Sequence, residues 1–301
     1  MEYAPILLFA YNRPEHFRRT LDALKTNELA SESDLFIYSD GARPGDEEQV
    51  CEVRRIARQT SGFQSVFVVE RSKNMGLASN IIDAVTDIIN RCGKVIVLED
   101  DLITSPYFLR FMNDGLTVYQ NNPEVMNVQA HVLYTKNVLP ETFFIHFINS
   151  WGWGTWKRAW DMFEADGTKL LNQLQARSLT HRFDFDGKYP FTRMLQRQIE
   201  GKNNSWAIRW NASVFLCGGL SLNAGRSLVK NIGTDGSGTN FTREAGYFTV
   251  LDVDKPVKID PDNPVEENEE ARKAIGKVYA YEYSKITKGI RLLRSLVRRF
   301  F

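Results

Sequence analysis

The chain has 301 residues, 43% of them hydrophobic and 25% charged, enough to bury a sizeable core and too apolar for a mainly disordered protein. Its 38 lysines and arginines against 37 aspartates and glutamates leave a formal charge of +1, so no global basic surplus points to nucleic acid. Three scattered cysteines, Cys51, Cys92 and Cys217, suggest neither a disulfide framework nor a zinc motif, and fit a reducing, cytoplasmic setting.

Pro5 to Ala10 is a short continuous apolar run of the kind buried in a parallel sheet, and Pro14 suits the first turn of a helix reaching Lys25. The run breaks at Asn12-Arg13-Pro14, well short of a membrane span, and reads as a strand. Asp34 to Ser39 is the next strand, closed by Asp40-Gly41, and a polar helix follows from Glu47 to Thr60. Ser65 to Glu70 is a third strand, Ala78 to Asn90 an amphipathic helix ended by Cys92-Gly93, and Lys94 to Leu98 a fourth strand running into Glu99-Asp100-Asp101. A helix over 106–120 and a strand over 125–130 come next. Beyond them the pattern is mixed: Trp206 to Cys217 alternates like a helix or a strand, 230–238 ends in a glycine-rich loop, and Asp260 to Glu270 reads as a surface linker.

Strands alternating with helices at this pace imply right-handed crossovers and a parallel sheet, whose ligands lie beyond the carboxyl ends of the strands. The loops at those ends carry Asn12-Arg13, Asp40-Gly41, Arg71 to Asn74, and Glu99 to Asp101. Three adjacent carboxylates repel one another unless a cation or many donors neutralise them, and Mg²⁺ or Mn²⁺ needs few protein oxygens when substrate phosphates fill its other positions. Asp101 is therefore the candidate metal ligand. Asp40 can accept hydrogen bonds from a base, and Arg13 and Asn74 can reach phosphate or ribose. Trp151-Gly152-Trp153-Gly154-Thr155-Trp156 places flat aromatic faces beside glycines, a composition suited either to sugar rings or to a packed corner. A general base for an acceptor hydroxyl has four candidates, Asp161, Asp184, Asp186 and Asp235, of which Asp186 is favoured for its aspartate and aromatic cluster. The four histidines show no ligand-like spacing.

The residues 5–13, Arg18 to Asp22, Ser39-Asp40-Gly41 and Val97 to Leu102 together resemble the donor-binding half of the GT-A glycosyltransferases. Within that fold the likeness is to N-acetylglucosaminyltransferase I and to bacterial sugar transferases of polysaccharide assembly. The resemblance implies a GT-A α/β fold: a mostly parallel, Rossmann-like sheet flanked by helices. It implies a donor-binding half over 1–130, an acceptor-binding half over 131–258, and a linker with a C-terminal helix over 259–301. It further implies an inverting transfer from a UDP-sugar to a glycan or lipid-linked glycan hydroxyl. Asp40 would contact uracil, Asn12, Arg13 and Asn74 the nucleotide, Glu99 and Asp100 the ribose or sugar, Asp101 the metal, and Trp151, Gly152 and Trp153 the sugar and acceptor. The family's Trp-Asp-Asp-Trp base motif falls over Trp206 to Trp210, where this chain has no carboxylate.

The final segment, KITKGIRLLRSLVRRFF, spaces apolar residues along one face of a basic helix, an expected peripheral contact with an anionic membrane. Two rivals remain. A sugar nucleotidyltransferase would carry a glycine-rich basic loop after the first strand, which Asn12-Arg13-Pro14 is not. A non-catalytic sugar-binding module would use the tryptophans and leave the acidic triplet idle.

Overall fold

The computed structural model describes residues 3–235, 249–284 and 289. Its first hundred residues alternate as expected: β1 (Ile6–Ala10), α1 (Pro14–Lys25), β2 (Asp34–Ser39), α2 (Glu47–Arg58), β3 (Ser65–Glu70), α3 (Leu77–Cys92) and β4 (Lys94–Glu99). Local chemistry sets these bounds. Pro14 opens α1, whose Phe17, Leu21 and Leu24 share the buried face, and Gly93, at φ 77°, closes α3 by donating its N–H to the Ile89 carbonyl.

β5 (Leu102–Thr104), α4 (Phe108–Val118) and β6 (Val125–Gln129) come next, then β7 (Thr142–Ile145), β8 (Trp153–Trp156), α5 (Lys157–Trp160), α6 (Gly167–Ala176) and α7 (Thr180–Phe183). The chain continues through α8 (Phe191–Ile199), α9 (Trp206–Leu216), β9 (Leu220–Ala224), β10 (Val229–Asn231) and α10 (Glu269–Tyr283). The ambiguous stretch 206–217 is thus a helix, capped by Ser205, whose side chain accepts from the Ile208 N–H. Asn268 caps α10 in the same way, accepting from Ala271.

Eight strands form one sheet in the order β3-β2-β1-β4-β8-β6-β9-β7. β3, β2, β1 and β4 are mutually parallel, β8 runs against both β4 and β6, and β6 and β9 are parallel. This is the Rossmann-like α/β arrangement expected, with helices on both faces. Alternation along β1 divides the interior: Ile6, Leu8 and Ala10 face α1, α2 and α4, whereas Leu7 and Phe9 face α3 and α9. A third apolar cluster joins β7 to α6, α8, α9 and α10.

The register puts the carboxyl ends of the parallel strands side by side, with Ala10 beside Ser39, Ser39 beside Glu70 and Phe9 beside Glu99. β8 reverses twice against its neighbours, so β6 points the same way as β4 and ends on the same edge. No helix among the described residues is long and apolar enough to cross a membrane. Apart from Gly289, the basic terminal segment lies outside the described residues, as does 236–248, which contains the end of the glycine-rich loop.

Candidate functional site

Four loops meet at this edge, and each meeting is a specific hydrogen bond. From the loop after β1, Tyr11 donates its N–H to Asp100 Oδ2 at 3.1 Å, while the Tyr11 hydroxyl and Asn12 Nδ2 donate to Asp46 at 2.6 and 3.0 Å. From the loop after β2, Arg43 Nε donates to Asn74 Oδ1, and Asn74 Nδ2 returns a bond to the Gly41 carbonyl at 2.8 Å. Gly41 is glycine for a steric reason: a Cβ there would lie 2.2 Å from the Lys73 carbonyl carbon, so the second and third loops touch backbone to backbone.

Asp40 is buried and already committed. Its Oδ1 accepts from the N–H groups of Gly41 and Met75 and its Oδ2 from that of Gly76, at 2.8 to 2.9 Å. The carboxylate expected to meet a base thus holds the third loop and the start of α3 in place, a positioning task visible only once the two loops are brought together.

The acidic triplet lies at the end of β4. Arg13 Nη2 bridges Asp100 Oδ1 at 2.9 Å and Asp101 Oδ2 at 2.7 Å, and Thr20 on α1 donates to the Asp100 carbonyl. Burial alone would lower the Arg13 pKa, but Asp100 and Asp101 override it and raise it, so the guanidinium is a fixed cation. Burial outweighs Arg13 at Asp100 and holds that carboxyl above its ordinary range. Glu99 is pushed up to about 8, first by burial and then by the Asp101 and Asp100 charges, with Arg13 opposing. One guanidinium therefore does not cancel three acids.

A second strand system covers the triplet. β10 pairs antiparallel with β5, and just beyond it the Ile232 N–H bonds the Asp101 carbonyl at 2.8 Å. Gly233 then passes so close that a Cβ would sit 2.0 Å from Asp101 Oδ2 and 2.8 Å from Arg13 Nη1. Two residues on, Asp235 meets His16 Nε2 at 3.1 Å, joining this strap to the first turn of α1. Sequence reading missed the strap, because β5 and β10 are three residues each and 129 positions separate Leu102 from its partner Asn231. The turn glycine after a short β-forming run was its one signal.

The remaining expectations divide. Of the four candidate bases, Asp235 alone is tied to residues around the triplet among the described contacts. Asp161 pairs with exposed Lys157, and Asp184 accepts from the Thr192 N–H. Asp186 is a correction: its carboxylate is paired with buried Arg272 and lies near Arg182, which hold its pKa down against burial, and it fastens α10 to the turn after α7. Trp153 is a second correction. It is fully buried among Trp160, Trp206 and Trp210 and offers no face to a sugar, because its strand lies in mid-sheet between β4 and β6. Trp206 and Trp210 share that core, so the segment aligned with a base motif faces inward.

Gly152, at φ 70°, leaves room for Val229 and Phe108, where a Cβ would approach to 2.7 and 3.1 Å. Trp151 alone of the three tryptophans in the segment remains partly exposed, its ring edge-on to His131 with centroids 4.7 Å apart. His131 is buried. Its Nδ1 faces Asn149 Nδ2 at 2.7 Å and its Nε2 faces Thr249 Oγ1 at 2.9 Å, so the amide donor fixes the neutral tautomer with the proton on Nε2. Desolvation lowers its pKa to about 3. All three cysteines are exposed, and none is joined in a disulfide.

Among the described residues no three or more His, Cys, Asp or Glu side chains are grouped as a protein-only metal cage. The donor set suits a hard cation that brings its own phosphate ligands: three adjacent carboxyl groups share one guanidinium, and a cation there would relieve the repulsion that raises Glu99.

Fold and edge together define a Rossmann-like α/β protein with a charged rim at the carboxyl ends of its strands. No family model matches the chain, and no curated protein does. Among solved structures it is similar to S. aureus TarS, at 12% identity and TM-score 0.34 over 48% of this chain and 25% of that one. It is similar also to the mannosyltransferase PcManGT from Pyrobaculum calidifontis in complex with GDP-Man and Mn²⁺, at 14% identity and TM-score 0.39 over 70% and 74%. A UDP-glucose pyrophosphorylase complexed with UDP-glucose gives 12% identity and TM-score 0.37 over 73% and 90%. The chain thus spans a quarter of the length of TarS.

Proposed function

We propose that this protein is a glycosyltransferase that moves a sugar from a nucleoside diphosphate donor, a UDP-sugar, onto a hydroxyl of a glycan or lipid-linked glycan, with a divalent cation bound at Asp101. The observation that carries this reading is the triplet itself. It lies at the carboxyl end of a central parallel strand, held by Arg13, ringed by the loops after β1, β2 and β3 and covered by the strap after β10. Such an edge binds a polar ligand in open α/β sheets.

In this reading Asp101, with Glu99 beside it, would hold Mn²⁺ or Mg²⁺, which supplies charge stabilisation to a departing diphosphate. Arg13 orients the Asp100 and Asp101 carboxylates and leaves Nη1 buried without a hydrogen-bond partner, a donor suited to a phosphate oxygen. Asn12 and Asn74 line the first and third loops, where ribose and base would lie, and Asp40 fixes the wall they stand on. Trp151, at the end of the edge formed by β6 and β8, would meet the sugar or acceptor.

Calorimetric titration of UDP, with and without Mn²⁺, on the wild type and on Asp101→Ala tests the reading. Metal-dependent binding lost in the variant is the expected result. UDP binding that ignores both metal and the substitution would remove the metal from the scheme, and absence of any nucleotide binding would overturn the donor assignment.

A further inference from the structure

The two edges of the eight-stranded sheet are treated differently by the chain. At β7 the edge is closed: Phe144 bridges to Glu267, the Asn268 N–H bonds the Phe144 carbonyl, and the His146 N–H bonds the Glu267 carboxylate. At β3, the other edge, no described segment pairs with the outer side. Its sequence, Ser65-Val66-Phe67-Val68-Val69-Glu70, is rich in β-branched and aromatic residues, with no lysine, no proline and one charge at its end. Edge strands in natural proteins are normally guarded by such residues.

The hydrogen-bonding parity of this edge can be read. Arg71 donates its N–H to the Ser39 carbonyl on β2, so counting back by two, Val69 and Phe67 direct their backbone groups inward. Val66, Val68 and Glu70 therefore direct theirs outward, and no described residue bonds to them. Phe67 is 46% exposed and stacks on Phe36 with ring centroids 4.6 Å apart, and the Arg91 guanidinium lies 5.7 Å from the Phe36 ring centroid.

We infer that this edge pairs with the β3 edge of a second copy of the chain, antiparallel about a two-fold axis through Phe67. In that register Val66 and Val68 of one copy face Val68 and Val66 of the other, exchanging four backbone hydrogen bonds through the outward groups. The two Phe67 side chains meet at the intervening non-hydrogen-bonded position, and the Phe36–Phe67 stack continues across the axis. No like charges oppose one another, since Glu70 falls opposite Gln64. The contact is isologous, self-complementary in hydrogen bonding and packing, and its one charge per strand, Glu70, already paired with Arg54 and Arg58, meets no like charge, so a second copy of the chain fits the edge without adjustment. Antiparallel pairing reverses the strands, so the two acidic rims point to opposite ends of the dimer and receive ligands independently.

The test uses the full chain with Cys51, Cys92 and Cys217 changed to serine. Phe67→Cys brings two thiols to a non-hydrogen-bonded antiparallel position, with Cα atoms about 4.5 Å apart, inside disulfide range. Mild oxidation is expected to give a covalent dimer from Phe67→Cys and at least tenfold less from Ser65→Cys, whose partner would be Val69. Sedimentation equilibrium of the wild type should show a concentration-dependent dimer. Val68→Pro, which removes an outward N–H that no intramolecular bond uses, should shift it to monomer without changing far-ultraviolet circular dichroism. A wild type that stays monomeric to millimolar concentration, or equal cross-linking at 65 and 67, overturns the proposal. Heterologous capture of another protein's strand with no self-association also overturns it.

Discussion

Acidification should unfold this protein through His131 in a calculable way. The imidazole is neutral and buried with both nitrogens partnered, and its pKa is lowered to about 3 in the folded state against about 6.5 when unfolded. Its neutral form is shared by both states above pH 6.5, so it exerts no penalty there. As pH falls below 6.5 the unfolded chain takes up a proton that the folded one refuses, and stability declines by at most about 1.4 kcal/mol per pH unit until the folded pKa is reached. At pH 5 the loss is about 2 kcal/mol. The assay is urea unfolding from pH 7.5 to pH 5, compared with His131→Gln, whose amide can still accept from Asn149 and donate to Thr249. The variant should lose about 2 kcal/mol less than the wild type over that range. Parallel pH profiles for the two proteins would refute the argument, as would a nitrogen chemical shift showing the proton on Nδ1.

Arg13→Met leaves two mostly buried carboxylates without their cation and should cost about 3–5 kcal/mol in urea unfolding at pH 7; a loss under about 1 kcal/mol would mean that solvent already screens the pair. Trp153→Ala should destabilise by about 3–5 kcal/mol, whereas Trp151→Ala should change stability by under about 1 kcal/mol and act on sugar or acceptor affinity; similar stabilities would contradict the burial difference.

The first hundred residues were legible because each strand is a short apolar run ended by turn chemistry and each helix keeps an amphipathic period. The convergence of Arg13, Asp40, Asn74 and the triplet followed from topology alone. What these side chains do to one another did not. Asp40 looks the same in sequence whether it awaits a base or, as here, accepts three backbone N–H groups. Trp151 and Trp153 are chemically identical and two residues apart, so a strand period would give both the same face; they differ because β8 begins only at Trp153, between β4 and β6, and Trp151 lies before it. Asp186 was favoured for its aromatic neighbours, and those neighbours are core, with the carboxylate turned to Arg272 on a helix more than eighty positions later. Short strands whose partners lie far along the chain, such as β10, leave no periodic trace.

The position of β8 also bears on how the chain is made. Val95, Ile96 and Val97 of β4 find their outer partners only in Thr155, Gly154 and Trp153, about sixty residues further along a ribosome's output. Through that interval the strand bearing the acidic triplet is an uncovered apolar edge, so a nascent chain stalled between 100 and 150 should be the species that chaperones hold and that aggregates when they are scarce.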